Sequence, residues 1–216
     1  MEKHIKNFNQ FINESDETDS LLELFNSKDK SKITNGFKMM LDNNLDVGTI
    51  RKLNLSYSEL DELPDTIDRF TNLEELRLVD NNLKKLPDSI GKLKNLKKLY
   101  ISANSLKELP RNIYDLKDLV VLEISSNNFG ELPDSIGKLK NLKELDASSN
   151  KLSSIPDSIG NLINLDKLNF SNNDIKVLPD SIGKLKNLKE LDITRNQVKE
   201  LPKTMGDMGD EFILYQ

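Results

Sequence analysis

Three acidic residues are the candidates for chemistry in this chain of 216 residues. Glu123 and Asp146 are 23 positions apart, and Glu144 lies two positions before Asp146. Paired carboxylates can transfer protons in general acid–base catalysis, or they can supply the oxygen ligands that calcium prefers. A solvated acidic surface that attracts basic groups of a partner uses the same residue types. The elements that position these side chains decide between the three interpretations.

Other catalytic groups are scarce. The chain has no cysteine, and its single histidine, His4, lies near the N-terminus. These counts exclude disulfides, thiolate catalysis and a histidine general base in the rest of the chain. No glycine-rich phosphate loop occurs either. We therefore predict a protein that is not an enzyme and uses no metal or cofactor.

Composition and charge restrict the classes of partner and the cellular location that we expect. The net charge of −5 is spread along the chain without a basic tract, so we expect no binding to nucleic acid. No run approaches the roughly 18–20 apolar residues that span a bilayer, and the sequence MEKHIKNFNQ lacks the apolar core of a secretory signal. We expect no membrane contact and a cytoplasmic protein, although the lack of cysteine favours that compartment only weakly.

A repeat of 23 residues organises most of the chain. All seven prolines obey this spacing, from Pro64 to Pro202. Aligned on them, the sequence reads L-x-x-L-x-L-x-x-N-x-L-x-x-L-P-x-x-I-x-x-L-x-N. One full copy runs from Leu73 to Asn95, and further copies begin at Leu96, Leu119, Leu142 and Leu165. Two partial or modified copies, which start at Ile50 and Leu188, flank them.

Each copy predicts one coil with a strand, a bend and a helical turn. Leu76 and Leu78 alternate with polar residues, which indicates a strand with one buried face. Asn81 then occupies a turn, where its amide can both donate to and accept from buried backbone groups. Pro87 suits the start of a helical turn, and Ile90 follows at helical spacing with its side chain inward. Because no insertion interrupts the period, no loop would exclude water around the carboxylates, and we predict a solvated acidic face there.

This pattern resembles the leucine-rich-repeat proteins, in particular the 23-residue class with LPxxIGxLxNL that occurs in bacterial proteins and Ras-related scaffold proteins. The resemblance covers residues 50 to about 208. It implies an α/β solenoid: a curved right-handed coil with a parallel sheet on the concave face and short helical turns on the convex face. For function it is unspecific, because such proteins bind many unrelated ligands.

The two ends differ from the repeats. We predict an N-terminal helical cap or extension at 1–49, a repeat array of about seven copies at 50–208, and a closing strand at 209–216. Within the first segment, residues 3–13 suit a helix, and residues 1–13 either cap the array or dock a partner as a detachable peptide. Residues 14–20 resemble an acidic linker before a capping box at residues 20–23, and a second helix is expected from about Lys32 to Leu41.

The outward strand positions form the predicted binding surface. A basic, aromatic and apolar cluster lies on its second to fourth strands, and acidic residues dominate further along, where Lys167 is the exception. Tyrosine and arginine are frequent interface hot spots. We predict contacts from Arg77, Val79, Lys98, Tyr100, Val121, Glu123, Glu144, Asp146 and Asp192.

Three functions fit these features. The leading hypothesis is a non-catalytic module that binds another protein on the concave face. A structural or assembly scaffold, for example one associated with a virion, is the first alternative. A carbohydrate-binding or small-ligand-binding surface is the second, and it is disfavoured because Tyr100 is the one aromatic residue in the predicted outward positions. We expect a monomer, with its ends as the surfaces for any weak self-association.

Overall fold

The computed structural model describes residues 14–208 and 212–216. The chain begins with two helices, α1 (Glu14–Phe25) and α2 (Lys30–Asp42), and continues as a solenoid. Eight strands form one parallel sheet in sequence order. Their bounds are β1 (Lys52–Asn54), β2 (Glu75–Arg77), β3 (Lys98–Tyr100), β4 (Val121–Glu123), β5 (Glu144–Asp146), β6 (Lys167–Asn169), β7 (Glu190–Asp192) and β8 (Ile213–Tyr215).

The predicted helical turns are 3₁₀ turns of five residues, each of which follows a proline of the repeat. In the turn Asp88–Lys92, Pro87 is the N-cap, and the buried Ile90 lies on the inner side. These turns form the face of the solenoid opposite the sheet. Their bounds are Asp65–Arg69, Asp88–Lys92, Arg111–Asp115, Asp134–Lys138, Asp157–Asn161, Asp180–Lys184 and Lys203–Asp207.

The N-terminal cap differs from its prediction in α1. The expected acidic linker at residues 14–20 is wrong, because these residues belong to a helix that extends to Phe25. The expected capping box at residues 20–23 therefore lies inside that helix. Leu21 and Phe25 are fully buried, and their packing stabilises a helix whose polar start alone would be marginal. The predicted helix at residues 3–13 lies outside the described residues.

The second helix is close to its prediction. It begins at Lys30 and ends at Asp42, and the side chain of its N-cap, Asp29, accepts a hydrogen bond from the backbone N–H of Lys32. This bond satisfies one of the free N–H groups of the first turn. Ile33 is buried, as the helical spacing indicates, but Leu41 is 49% exposed and does not belong to the inward face.

Aromatic packing attaches the cap to the first coil. The ring of Phe25 lies 4.8 Å from that of Phe37 and 5.8 Å from that of Phe70, measured between ring centroids. Phe70 belongs to the repeat array, so this contact joins the cap to the core of the solenoid. Arg69 adds polar contacts, because its guanidinium donates to the carbonyl oxygen of Met40 at 3.1 Å and to Asn44 Oδ1 at 2.8 Å.

An asparagine ladder connects successive coils, as the sequence predicts. Asn127 Oδ1 accepts from the backbone N–H of Leu106 in the preceding coil at 3.0 Å. Its Nδ2 donates to the carbonyl oxygens of Ile101 at 2.9 Å and Ile124 at 3.1 Å. The side chain thus satisfies buried backbone groups of two coils at once. Equivalent bonds are made by Asn81, Asn104, Asn150, Asn173 and Asn196.

The last strand, β8, keeps the register of the repeat. Glu190 pairs with Ile213, Leu191 with Leu214, and Asp192 with Tyr215. Leu214 packs against the hydrophobic core, as the 23-residue count predicts. The neighbouring side chains therefore project to the opposite face of the sheet, because successive strand residues alternate between faces.

Candidate protein-binding surface

The sheet brings the outward residues of successive repeats side by side. Arg77 pairs with Tyr100, Tyr100 with Glu123, and Glu123 with Asp146, each across adjacent strands. In the parallel column, Lys98 pairs with Val121, and Val121 with Glu144. Asp192 continues the first column in β7. The predicted set therefore lies along one continuous face, and Val79 extends it just beyond the end of β2.

Arg77 and Tyr100 form an ordered pair on this face. The guanidinium of Arg77 lies 4.0 Å from the centre of the Tyr100 ring, within the range of a cation–π interaction. Arg77 Nε also donates to Glu75 Oε1 at 2.6 Å, and this bond raises the pKa of the guanidinium further. Burial raises the pKa of Tyr100, so its hydroxyl keeps its proton at neutral pH. The pair places a cation and a hydrogen-bond donor side by side on the face.

Val121 is less exposed than its position in the sequence predicts. Sequence position alone places its side chain among the contact residues, but only 6% of the residue is exposed. It lies on the sheet between Lys98 and Glu144, outside the hydrophobic core cluster. Val121 therefore keeps its outward position but offers little area to a partner.

The acidic half of the face, which begins at Glu123 and ends at Asp192, encloses a shallow cavity of about 180 Å³. Burial raises the pKa of Glu123, and the neighbouring carboxylate of Asp146 raises it further, against the opposing effect of Arg77. When a partly desolvated carboxylate lies beside a second one, any cation that approaches stabilises its charged form. The polar side chains that line the cavity are Glu123, Glu144, Asp146, Lys167, Asn169, Glu190 and Asp192.

Two of these carboxylates also hold the backbone. Asp146 Oδ1 accepts from the backbone N–H of Ser148 at 2.9 Å, and Asp192 Oδ1 accepts from that of Thr194 at 2.9 Å. The sequence pattern did not indicate this second role, since it depends on how the chain bends after each strand. Glu144 is exposed, and as a longer side chain it is a cleaner site for testing surface charge.

Among the described residues, no group of three or more histidine, cysteine or acidic side chains is arranged to hold a metal ion. Calcium binding at the acidic half, which the carboxylate spacing suggested, therefore gains no support from the geometry. The arrangement is suited to attracting positive groups across a broad surface.

Two contact candidates were missed from the sequence. Ile213 and Tyr215 extend the two outward columns into β8, and they are 52% and 44% exposed. Tyr215 is therefore a second aromatic residue in the outward positions, in addition to Tyr100. The signal was present, because adding 23 to the number of Asp192 gives Tyr215.

Family models match most of the array. One, described as a leucine-rich repeat region, matches residues 96–175. Another, described as two copies of leucine-rich repeats, matches residues 71–114 and 163–203. Together they span more than half of the chain, and they cover the six strands from β2 to β7 of the parallel sheet. The chain belongs to the leucine-rich-repeat proteins. Comparison with curated proteins finds no match.

Solved structures of other leucine-rich-repeat proteins are similar. A leucine-rich-repeat protein of Leptospira interrogans is 38% identical with a TM-score of 0.74, and the alignment covers 76% of this chain and 42% of that one. A plant peptide hormone receptor, solved in complex with RGF2, is 35% identical with a TM-score of 0.70 over 76% of this chain and 28% of the receptor. The chain therefore spans less than half of either protein.

A third structure supports the fold alone. An internalin of Listeria monocytogenes is 22% identical with a TM-score of 0.68, and the alignment covers 77% of this chain and 47% of the internalin.

Leucine-rich-repeat proteins are typically interaction modules. In the described part of this member, no helix is long and apolar enough to cross a membrane.

The raised pKa of Glu123 leads to a testable pH dependence. The folded protein binds the Glu123 proton more tightly than the unfolded chain does, so this group's contribution to stability is present at low pH. That contribution is lost as the pH rises from the ordinary glutamate range through the pKa of the folded state. We expect Glu123→Gln to increase the stability of the protein at neutral pH and to make little difference in acid, as measured by urea unfolding across pH.

The control for this prediction is Asp146→Asn, which removes one cause of the shift. In this variant we expect a lower pKa of Glu123. Carbon NMR of the Glu123 side-chain carboxyl group measures this pKa. An unchanged pKa in Asp146→Asn, together with a Glu123→Gln effect that does not vary with pH, would contradict this description of the acidic half.

Proposed function

We propose that this leucine-rich-repeat protein is a non-catalytic module that binds another protein on the concave face of its sheet. The observation that carries the proposal is the ordered pair of Arg77 and Tyr100 beside the partly desolvated Glu123. These residues combine an aromatic surface, a fixed cation and a carboxylate that favours a positive neighbour. Such groups on a rigid sheet bind with little loss of side-chain entropy.

The charge along the face defines the orientation of the partner. Arg77 and Lys98 lie on β2 and β3, while Glu144 and Glu190 lie on β5 and β7. A partner is expected to place acidic groups over the first region and basic groups over the second, because complementary charges steer association and fix the register. Eight strands about 4.8 Å apart give a face roughly 34 Å long, enough for a standard interface.

The test begins with selection of binders from a random-peptide library against the whole chain. We expect the selected peptides to bind Tyr100→Ala about 30-fold more weakly, as measured by calorimetry, because an aromatic anchor is lost. We expect Glu144→Lys/Glu190→Lys to slow association, most strongly at low salt, because steering by surface charge is screened by ions.

The matched control reverses two charges away from the sheet. Lys94 and Lys140 are exposed and lie in the segments that follow the 3₁₀ turns. Lys94→Glu/Lys140→Glu changes the net charge by the same amount in the opposite direction and is expected to preserve affinity. Selected binders that respond to the control variant but not to Tyr100→Ala would refute the proposed function.

A further inference from the structure

The exposed residues of β8 give the concave face a second apolar anchor. Ile213 and Tyr215 are both about half exposed, and they project from the same side of the sheet as Tyr100. Leu214 between them packs against the core, so the strand is fixed while its outer side chains face solvent. An adjacent exposed aliphatic and aromatic pair on a fixed strand is a typical interface feature.

Charge separates this anchor from the first one. Glu190 and Asp192 lie directly beside Ile213 and Tyr215 in the neighbouring strand. Further carboxylates follow toward Tyr100, at Glu144 and Glu123. Lys167 is the exception within this region, and its ammonium group already lies 3.8 Å from Glu190 Oε2. The surface between the two anchors therefore favours positive groups.

The register gives the distance between the anchors. Tyr100 is in β3 and Tyr215 is in β8, at the same position of their coils, so five strand spacings separate them. At about 4.8 Å per spacing, this distance is roughly 24 Å. An extended peptide covers about 3.3–3.6 Å per residue, so about seven residues of a partner span the gap.

We propose that the partner presents an extended segment with an apolar residue at each end, about seven residues apart, and lysine or arginine between them. One apolar end contacts Tyr100, and the other contacts Ile213 and Tyr215. The basic residues lie over the carboxylates of β4, β5 and β7. This inference rests on the proposed function, and it adds the chemical class of the partner and a second contact region.

Synthetic peptides test the two-anchor arrangement on the whole chain. The first peptide carries leucine at both ends, separated by alternating lysine and glycine over about seven residues. The second replaces one leucine with serine, and the third replaces the lysines with glutamates. Fluorescence anisotropy is expected to show binding of the first peptide, about 10-fold weaker binding of the second, and no binding of the glutamate peptide.

The matched protein variant is Ile213→Ser/Tyr215→Ser, whose side chains are exposed enough for the fold to tolerate the change. It should bind the first peptide about 10-fold more weakly than the unmodified chain does. Its preference for the first peptide over the second should also become smaller, because the site for one leucine is gone. Thermal unfolding of the variant provides the check on folding.

No binding of the first peptide, equal binding of the first two peptides, or an unchanged affinity of the β8 variant would overturn the inference. The proposed function is judged separately by the library-selected peptides. If their binding depends on Tyr100 but not on Ile213 and Tyr215, the concave face is the binding surface and the two-anchor arrangement is wrong.

Discussion

Replacing Phe25 with alanine is expected to lower the free energy of unfolding by about 3–5 kcal/mol, because it leaves a large cavity between the cap and the array. Phe25 is fully buried, and its ring contacts those of Phe37 and Phe70. The loss should be visible as a lower midpoint in urea unfolding, and the apolar first coil should then bind a hydrophobic dye.

Leu41→Ala is the matched control for the cap. Leu41 lies in the second helix of the same cap, but it is about half exposed. Its replacement removes a large apolar side chain without opening a cavity, so a change within about 0.5 kcal/mol is expected. Equal effects of the two substitutions would show that the aromatic packing does not hold the cap to the array.

The second large effect is expected at Asn127. Its replacement with alanine leaves the backbone N–H of Leu106 and the carbonyl oxygens of Ile101 and Ile124 without their side-chain partner. A buried polar group that loses its hydrogen bond costs about 1–3 kcal/mol. We expect a loss near the upper end of that range, because several such groups are exposed to an apolar environment together, and a thermal melt measures it.

Asn128→Ala is the comparison, since the neighbouring asparagine is partly exposed and its Oδ1 accepts a bond from Lys151 Nζ at the surface. Surface hydrogen bonds of this kind are replaced by water at little cost. If Asn128→Ala destabilises the protein as much as Asn127→Ala, the ladder does not stabilise the stacking of coils.

The spacing of the prolines and leucines was sufficient to predict the solenoid. A period of 23 residues aligns each coil with the next, so the pairs Arg77–Tyr100 and Glu123–Asp146 follow from arithmetic alone. The period also predicts the asparagine ladder, because the same side chain bonds the same backbone positions in successive coils. These features are local and repeated, which makes them visible in a single sequence.

The errors arose where tertiary packing overrides local composition. The polar start of the first helix resembles a linker, but the burial of Leu21 and Phe25 stabilises the whole helix. Val121 is buried although its position is outward, since exposure depends on the neighbouring side chains and not on the alternation of the strand. Tyr215 was missed because Glu211 replaces the leucine or isoleucine that lies two positions before every other strand, although the register persists.

The bend after each strand shows a further limit of prediction from the sequence. The residue before each ladder asparagine has a positive φ, as in Ala103 at 55° and Asp80 at 56°, yet none of these residues is glycine. Residues other than glycine reach this region at a cost in strain, so their type gives no local signal for it. The conformation follows from the stacking of coils, which fixes both ends of the bend.

Photo-crosslinking tests the central claim most directly. A benzophenone side chain placed at Glu144 on the concave face should form a covalent bond with a library-selected peptide. The same side chain at Lys94, beside a convex turn, should leave the peptide free. Mass spectrometry of the two products measures the difference. Crosslinks from position 144 and none from position 94 are the predicted result, and crosslinks from position 94 alone would contradict binding on the concave face.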